Sequence, residues 1–230
     1  AVDVQGYIVQ KLSGQKFGDY LEANVLTPLG MTDTSFYVHE AQTPRFTDVY
    51  HWDKAKKALV KNQLRPSRSD FTNPNRLESG GGGLVSTAHD YARFCQAMLN
   101  QGSLAGKTVL KPETVALMTQ NHIGELGIST DGTNPNGRPG IKFGLDFAVV
   151  ADPAAAQSQQ GKGTFYWGGA AGTWFWIDPV NDLFFIGMIQ SIGGYRPDAM
   201  NFRGESAKLV YDALGVPMPE TPVAGVHDIH

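Results

Sequence analysis

Ser13 and Lys16 are the first residues of the chain whose types and spacing could do chemistry. In a Ser-x-x-Lys pattern the lysine amine can take the proton of the serine hydroxyl when both side chains lie on one face of a helix. Gly14 stands between the two residues, and glycine at this place is typical of a left-handed helix end. We therefore interpret Ser13 as the last residue of a helix and not as a nucleophile.

A second candidate is the aromatic and glycine-rich stretch that contains Trp167, Gly168, Gly169 and Ala170. An aromatic strand that ends in two glycines, passes small residues and resumes as another aromatic strand can turn backbone N–H groups toward a ligand. The same residues also fit an aromatic sheet with a glycine bulge and no binding role. The stretch alone does not separate these two interpretations.

The remaining reactive residue types form no pattern of a metal, nucleotide or reactive-thiol site. The histidines have no metal-ligand spacing: His89 is expected on the surface of a helix, and His227 and His230 are a pair at the chain end. The glycines of residues 102–108 have three residues between them where a phosphate loop needs four. Cys95 is the single cysteine, and its place on an apolar helix face predicts a buried, unreactive thiol. We expect no cofactor and no metal.

Composition excludes further classes of function. The chain has 230 residues and a formal net charge of -3, and its lysines and arginines form no cluster of the kind that a nucleic-acid or anionic-membrane surface needs. The longest apolar runs, such as residues 183–189, are far shorter than the roughly 20 residues of a membrane span. The chain starts at Ala1 without an initiator methionine and runs straight into a helical pattern, so we expect residues upstream of it to be missing.

Apolar residues at helical spacing predict five helices, of which the first two are expected to form a hairpin. Thr87 and Asp90 fit a capping box that opens the third helix. Before it, residues 38–79 carry scattered prolines and little periodicity, which predicts an excursion with little regular structure. The four glycines 80–83 permit a close approach of backbones or positive φ angles. The helices are predicted over residues 4–12, 17–28, 87–99, 112–120 and 202–214.

Aromatic and β-branched residues predict four strands in the last part of the chain. Residues 178–182 are rich in turn formers, so the last two strands are expected to form an antiparallel hairpin. We divide the chain into a mostly helical region with long loops, residues 1–142, and the antiparallel strands and C-terminal helix of an α/β (α+β) domain, residues 143–230. The strands are predicted over residues 143–150, 163–167, 173–177 and 183–190.

Four blocks of the sequence occur in the order of a known family. They are GYIV to SGQ within residues 6–15, PLGMTDTSF at 28–36, GGGGLVSTAHDYARF at 80–94, and WGGAAGT with WIDP within 167–179. Together they resemble the serine beta-lactamase-like superfamily, and within it the class C beta-lactamase-related enzymes known as family VIII carboxylesterases. The resemblance implies a beta-lactamase/transpeptidase-like fold, an antiparallel sheet flanked by helices with an adjoining mostly helical region, incomplete here at the N-terminus.

The resemblance also implies roles for individual residues. Trp167, Gly168 and Gly169 resemble the family's third motif and would contact the substrate. Ala170 then corresponds to the residue whose backbone N–H is one donor of the oxyanion hole, where loss of a donor typically costs roughly 3 to 4 kcal/mol of transition-state stabilisation.

The catalytic side chains are expected elsewhere. Residues 3–7 resemble the helix that follows the family's catalytic tyrosine, so the nucleophilic serine, its lysine and that tyrosine are expected upstream of Ala1. Tyr50, Tyr91 and Tyr195 could be proposed as substitutes, although none of them stands in a Tyr-x-Asn pattern.

The implied function is that of a serine hydrolase forming an acyl-enzyme with short-chain carboxylic esters, or with β-lactams or small amides. Trp167 in place of a lysine removes a cation that would hold a lactam carboxylate, which favours neutral esters. Residues 66–76 and 127–141 are expected to line the acyl or alcohol side. The expected partners are a small ester or lactam substrate and the N-terminal segment of the same protein. A non-catalytic binding module on the same scaffold and a D-alanyl carboxypeptidase-like enzyme remain alternatives.

Overall fold

The computed structural model of the chain describes residues 1–62, 68–128, 137–192 and 200–220. The chain forms two compact units that alternate along the sequence. The first comprises Ala1–Pro112, Gly168–Phe175 and Phe184–Ala199, and the second comprises Glu113–Trp167, Trp176–Leu183 and Met200–His230. The division of the chain between residues 142 and 143 stays a prediction.

The first unit begins with two consecutive helical segments, as predicted. Helix α1, Val2–Ser13, ends at Gly14, which adopts a φ of 70° and donates its N–H to the Gln10 carbonyl. Gly6 of α1 packs against Phe17, because a Cβ at position 6 would lie 3.0 Å from the Phe17 ring. The second segment consists of α2, Phe17–Leu21, a π-helical stretch, Glu22–Leu26, and α3, Thr27–Leu29.

The excursion predicted over residues 38–79 contains more regular structure than expected, so this prediction is wrong. A short 3₁₀ helix covers Glu40–Arg45, β1 (Tyr50–Asp53) pairs antiparallel with β2 (Ala58–Lys61), and α4 covers Arg68–Phe71. The hairpin turn is stabilised by the Asp53 carboxylate, which accepts the N–H groups of Ala55 at 2.9 Å and Lys56 at 3.0 Å. An aspartate that begins a turn is a sequence signal for a hairpin, and the sequence analysis missed it because it gave more weight to the prolines of this region.

Helix α5, Ala88–Leu99, begins where the sequence predicted, although the capping box is only half formed. The Thr87 hydroxyl accepts the Asp90 N–H at 3.1 Å. The Asp90 carboxylate is instead buried and accepts the Asp33 N–H at 2.7 Å and the Thr34 hydroxyl at 2.9 Å. Cys95 on the same helix is fully buried, and burial raises the pKa of its thiol to about 12, as expected for an unreactive cysteine.

Two short strands and a helix follow α5. Strands β3, Ser103–Leu104, and β4, Lys107–Thr108, pair antiparallel, and α6 covers Pro112–Met118. Leu26, Leu29, Met31 and Ala97 form an apolar cluster of the first unit. None of the helices among the described residues is both long and apolar enough to cross a membrane.

The remaining strands form a five-stranded sheet. Its order is β5-β6-β7-β8-β9, with β5/β6 and β6/β7 antiparallel. The strand predicted over residues 143–150 is wrong, because the chain turns at residues 144–147, where Asp146 has a φ of 62°, and forms two strands. The strands are Ile141–Phe143, Ala148–Val150, Phe165–Gly168, Trp174–Asp178 and Leu183–Gly187. Short turns join β7 to β8 and β8 to β9, and connections of this length permit only antiparallel pairing.

The C-terminal helix packs on the part of the sheet that belongs to the second unit. This helix is α8 and covers Phe202–Ala213. The short helix α7, Pro153–Ala156, precedes it along the chain. The Tyr211 ring lies over Trp176 with a centroid distance of 6.4 Å, and its hydroxyl donates to Asp178 at 2.6 Å. Helix α8 thus packs on strand β8 through Trp176 and Asp178.

Candidate active site

A tight turn joins β7 to β8 at the glycine-rich stretch. The Gly169 N–H donates to the Thr173 carbonyl at 2.8 Å, and the Gly172 N–H donates to the Gly169 carbonyl at 3.1 Å. Neither Ala170 nor Ala171 has a positive φ, whereas Gly172 has a φ of 94°. A turn with these bonds and angles is a type I turn followed by a glycine bulge. Ala170 and Ala171 are its two central residues.

The glycines of this turn are required by their surroundings. A Cβ at Gly169 would lie 2.6 Å from the Thr173 hydroxyl oxygen, so no larger residue fits without moving Thr173. At Gly172 a Cβ would lie 2.5 Å from Ile189, in addition to the strain of a positive φ. The turn therefore requires glycine at both ends, and this explains why glycines stand at positions 169 and 172 of the sequence.

The Ala170 amide lies outside the ladder of the sheet. Ala170 is exposed, and within the described residues its N–H donates no hydrogen bond. The second residue of a type I turn directs its N–H away from the turn, because the turn bond uses only the first carbonyl and the fourth N–H. The Ala170 N–H can therefore donate a hydrogen bond to a ligand oxygen, as the oxyanion-hole prediction requires. The catalytic role of Ala170 stays a prediction.

Trp167 lies on strand β7, two residues before the turn begins at Gly169, and it exposes part of an apolar side chain. Its side chain is 43% exposed, and its ring stands edge-on to Phe143 with a centroid distance of 5.4 Å and an interplanar angle of 75°. Because side chains alternate along a strand, the neighbouring Tyr166 lies on the other face, where burial raises its pKa. Substrate contact by Trp167, Gly168 and Gly169 stays a prediction.

The turn is also held by a hydrogen bond that the sequence analysis did not predict. The Ser191 N–H donates to the Ala171 carbonyl at 2.8 Å. On the other side of this segment, the Tyr50 N–H donates to the Gln190 carbonyl at 2.9 Å and the Ile192 N–H to the Tyr50 carbonyl at 2.8 Å. Strand β1 is thereby connected to the turn through residues 190–192. No local pattern could reveal the pairing of Tyr50, because its partners Gln190 and Ile192 lie about 140 residues away in the sequence.

The tyrosines considered as substitutes occupy different environments. Tyr91 lies between Phe94 and Phe175, with centroid distances of 5.5 and 5.2 Å, and burial raises its pKa far above the ordinary value. A phenol in such a place resists ionisation and is a poor proton acceptor. Tyr50 is 40% exposed on β1. Tyr195 lies outside the described residues, as do parts of the expected substrate loops, residues 66–67 and 129–136.

The structure agrees with the interpretation of Ser13 as a helix end. Ser13 is the last residue of α1, and its hydroxyl accepts the Gln15 N–H at 3.2 Å. Lys16 has an extended backbone and precedes α2. Because the helix stops between the two residues, they do not share a helical face, and the arrangement needed for a serine-lysine pair is not formed here.

The four-glycine loop packs against the first turn of α1. The Asp3 carboxylate accepts the Ser79 hydroxyl at 2.6 Å and the Gly81 N–H at 3.1 Å, and these bonds lower the pKa of Asp3. A Cβ at Gly80 would lie 2.6 Å from the Val2 carbonyl oxygen. None of the four glycines has a positive φ, so of the two predicted uses the loop shows the close approach of backbones.

Four of the six histidines, at positions 39, 51, 89 and 122, lie among the described residues. His89 is highly exposed, as predicted, with its ring 3.5 Å from the Asp90 carboxylate. His227 and His230 lie outside the described residues. In the part of the chain that the structure describes, His, Cys, Asp and Glu side chains form no group of three or more that could hold a metal ion.

Comparison with known proteins agrees with the fold and with the sequence blocks. Residues 1–207 match the family described as Beta-lactamase. Protein Rv1367c of Mycobacterium tuberculosis is 36% identical over 208 residues, which cover 86% of this chain and 49% of that protein. Esterase EstB of Burkholderia gladioli is 32% identical over 189 residues, which cover 76% of this chain and 44% of the esterase.

A solved structure gives the same result at the level of the fold. EstCE1, described as a hydrolase with promiscuous acyltransferase activity, matches with a TM-score of 0.69 and 25% identity over 83% of this chain and 50% of EstCE1. The fold is that of the serine beta-lactamases and penicillin-binding proteins, a mixture of helices and antiparallel sheet. The chain belongs to the Beta-lactamase family. It spans about half the length of the curated relatives it matches.

Proposed function

We propose that this chain is the C-terminal part of a serine hydrolase that works by acyl transfer on short-chain carboxylic esters. The observation that carries the proposal is the free Ala170 N–H on a type I turn held by two glycines. Membership of the Beta-lactamase family and likeness to an esterase and to a hydrolase support the reaction class. The nucleophilic serine, the lysine and the tyrosine are assigned to polypeptide upstream of Ala1.

In the proposed reaction the serine oxygen forms a bond to the ester carbonyl carbon while the serine proton passes to the lysine amine. The carbonyl oxygen takes up the displaced electron pair and accepts hydrogen bonds from the Ala170 N–H and from the N–H of the serine. Collapse of this intermediate expels the alcohol, which takes a proton, and leaves an acyl-enzyme. Water then hydrolyses the acyl-enzyme by the same sequence of steps.

The proposal favours neutral esters over β-lactams because of the residue at position 167. An indole offers apolar contact and no positive charge, so it cannot pair with the carboxylate that lactam substrates carry. The exposed part of Trp167 and its packing on Phe143 support an apolar wall for a short acyl or alcohol group.

The test uses the polypeptide extended upstream of Ala1, as its gene encodes it. A fluorophosphonate should label one serine upstream of Ala1, and p-nitrophenyl acetate and butyrate should be hydrolysed faster than a chromogenic cephalosporin. Ser13→Ala is the matched control and should leave both labelling and turnover unchanged. Absence of any labelled serine would assign the scaffold to binding without chemistry, and labelling of Ser13 would overturn the assignment of the nucleophile. Turnover of D-Ala-D-Ala peptides without ester hydrolysis would replace the esterase with a carboxypeptidase.

A further inference from the structure

The ring of Phe143 supports the exposed indole of Trp167. The two ring centroids are 5.4 Å apart and the ring planes make an angle of 75°, an edge-to-face arrangement that aromatic quadrupoles favour. Phe143 is the last residue of β5 and Trp167 lies on β7, so the contact reaches across the end of β6, the strand between them. Ala148, which pairs with Phe143 at this end of β6, has a small side chain that leaves room for the contact.

The backbone around Phe143 is held on the end of helix α6. The Phe143 carbonyl accepts the His122 N–H at 2.8 Å, and the Leu145 N–H donates to the Met118 carbonyl at 2.9 Å. Gly144 approaches the same carbonyl so closely that a Cβ there would lie 2.1 Å from its oxygen. The Phe143 side chain also packs against the buried apolar cluster of Ile141, Ala148 and Val150. Phe143 is therefore a fixed support, and the Trp167 indole cannot move toward β5 without displacing it.

The Trp167 indole is open on its remaining surface, with 43% of the side chain exposed. Trp167 lies three residues before Ala170, whose N–H is the proposed oxyanion donor. A ring that is supported from behind gives an apolar group in front of it a wall at a fixed distance, because closely packed atoms yield little. In apolar pockets one methylene changes the rate by roughly 10- to 200-fold. The support behind Trp167 thus decides how long a group in front of it can be.

We propose that Phe143 determines the size specificity of the site. By holding the Trp167 indole in place, it limits the length of the unbranched apolar group of the ester, on the acyl or on the alcohol side. Phe143 contacts Trp167 and not the substrate, so it is a positioning residue. The proposal rests on the proposed function, because it takes Trp167 as the wall of an ester site.

The test compares esters of increasing length in the upstream-extended protein. One series, p-nitrophenyl acetate, butyrate and octanoate, varies the acyl group, and a second, ethyl, butyl and octyl acetate, varies the alcohol. In Phe143→Val the indole can move into the vacated space. We expect the ratio of kcat/KM for the longest to the shortest ester of one series to rise about tenfold or more, while kcat/KM for the shortest stays within about threefold of the parent. The series that responds identifies the group that lies on Trp167.

Two variants separate the support of Trp167 from general weakening of the sheet. Phe147→Val is the matched control, because Phe147 is buried and its ring contacts Phe165 at a centroid distance of 5.2 Å, an aromatic pair of the same sheet that does not include Trp167. It should lower the melting temperature and keep the parent's ratio in both series. Phe143→Tyr keeps a ring behind the indole and should also keep the parent's ratio.

The remaining outcomes decide against the proposal. Parent-like ratios in Phe143→Val, beside an active parent, would overturn it and leave the proposed function standing. An equal rise of the ratio in Phe143→Val and Phe147→Val would assign the effect to a loosened sheet and not to the position of Trp167. A parent that hydrolyses none of the esters would end the proposed function, and this inference with it. If Phe143→Val does not fold, Phe143→Leu is used with the same comparison.

Discussion

Ala170 occupies a turn position where proline is favoured and where the backbone N–H donates no hydrogen bond to any residue that the structure describes. The second residue of a type I turn prefers a φ near the value that proline imposes. Ala170→Pro should therefore preserve the turn while it deletes the proposed oxyanion donor. In the upstream-extended protein we expect kcat for ester hydrolysis to fall by about 10²- to 10³-fold.

Two measurements separate loss of the donor from loss of the fold. The melting temperature of Ala170→Pro should equal or slightly exceed that of the parent, because proline reduces the freedom of the unfolded chain. Ala170→Ser keeps the N–H and should retain most of the activity. Parent-like kcat in Ala170→Pro, with the turn intact, would remove this amide from the mechanism.

An aromatic side chain of strand β8 lies over a glycine of strand β9. The Trp174 indole stacks on Phe185 with a centroid distance of 6.2 Å, and a Cβ at Gly187 would enter the indole ring. Gly187→Ala should lower the free energy of unfolding by about 1 to 3 kcal/mol, because the ring must move out of its packed place. Denaturant unfolding of the 230-residue chain measures this change.

Gly82→Ala is the matched control for this element. A Cβ at Gly82 would meet no atom within 4 Å, and Gly82 has no positive φ, so this substitution should be neutral or slightly stabilising. Equal effects of the two substitutions would mean that the indole does not occupy the space above Gly187.

The stability of the whole chain toward acid depends in part on one buried carboxylate. Asp178 accepts the N–H groups of Gly161 at 2.9 Å, Val180 at 3.0 Å and Asn181 at 3.1 Å, together with the Asn181 amide and the Tyr211 hydroxyl. Burial acts to raise the pKa of Asp178, but the hydrogen bonds from Gly161, Tyr211 and Asn181 outweigh it and hold the pKa below the ordinary value of 3.8.

A carboxyl whose pKa is lower in the folded state adds stability at pH values above its unfolded pKa. This contribution is lost as the pH falls through 3.8 toward the lower folded value. Asp178→Asn should therefore be less stable than the parent at pH 7, and the difference should shrink below about pH 4. Unfolding free energies of both proteins across this range measure the effect. A difference that stays constant with pH would mean that Asp178 is not ionised in the folded chain.

Tyr211→Phe tests the same hydrogen-bonded group around Asp178 without removing the carboxylate. It deletes the hydrogen bond from the Tyr211 hydroxyl to the charged Asp178, and a bond of this kind typically contributes about 1.5 to 3 kcal/mol. The ring remains to stack on Trp176, so helix α8 keeps its apolar contact.

The features that the sequence by itself determined are those with local causes. Gly14 ends α1 and Gly172 completes the turn after β7, because each adopts a positive φ that glycine accepts without strain. The helix starting at Thr87 and the aromatic strands around the turn follow from capping and from β-propensity in the same way. The sequence blocks also identified the family, since their order along the chain is independent of any distance in space.

The tertiary structure alone decided which groups are covered and which are free. It made Asp90 a buried acceptor rather than part of a capping box, split residues 143–150 into two strands, and connected β1 to the turn through Ser191. It also left the apolar side chains of Val4, Tyr7, Ile8 and Leu12 on α1 exposed, although their spacing predicted only a helix. Burial and pairing depend on residues far apart in the chain, and short-range preferences carry no information about such partners.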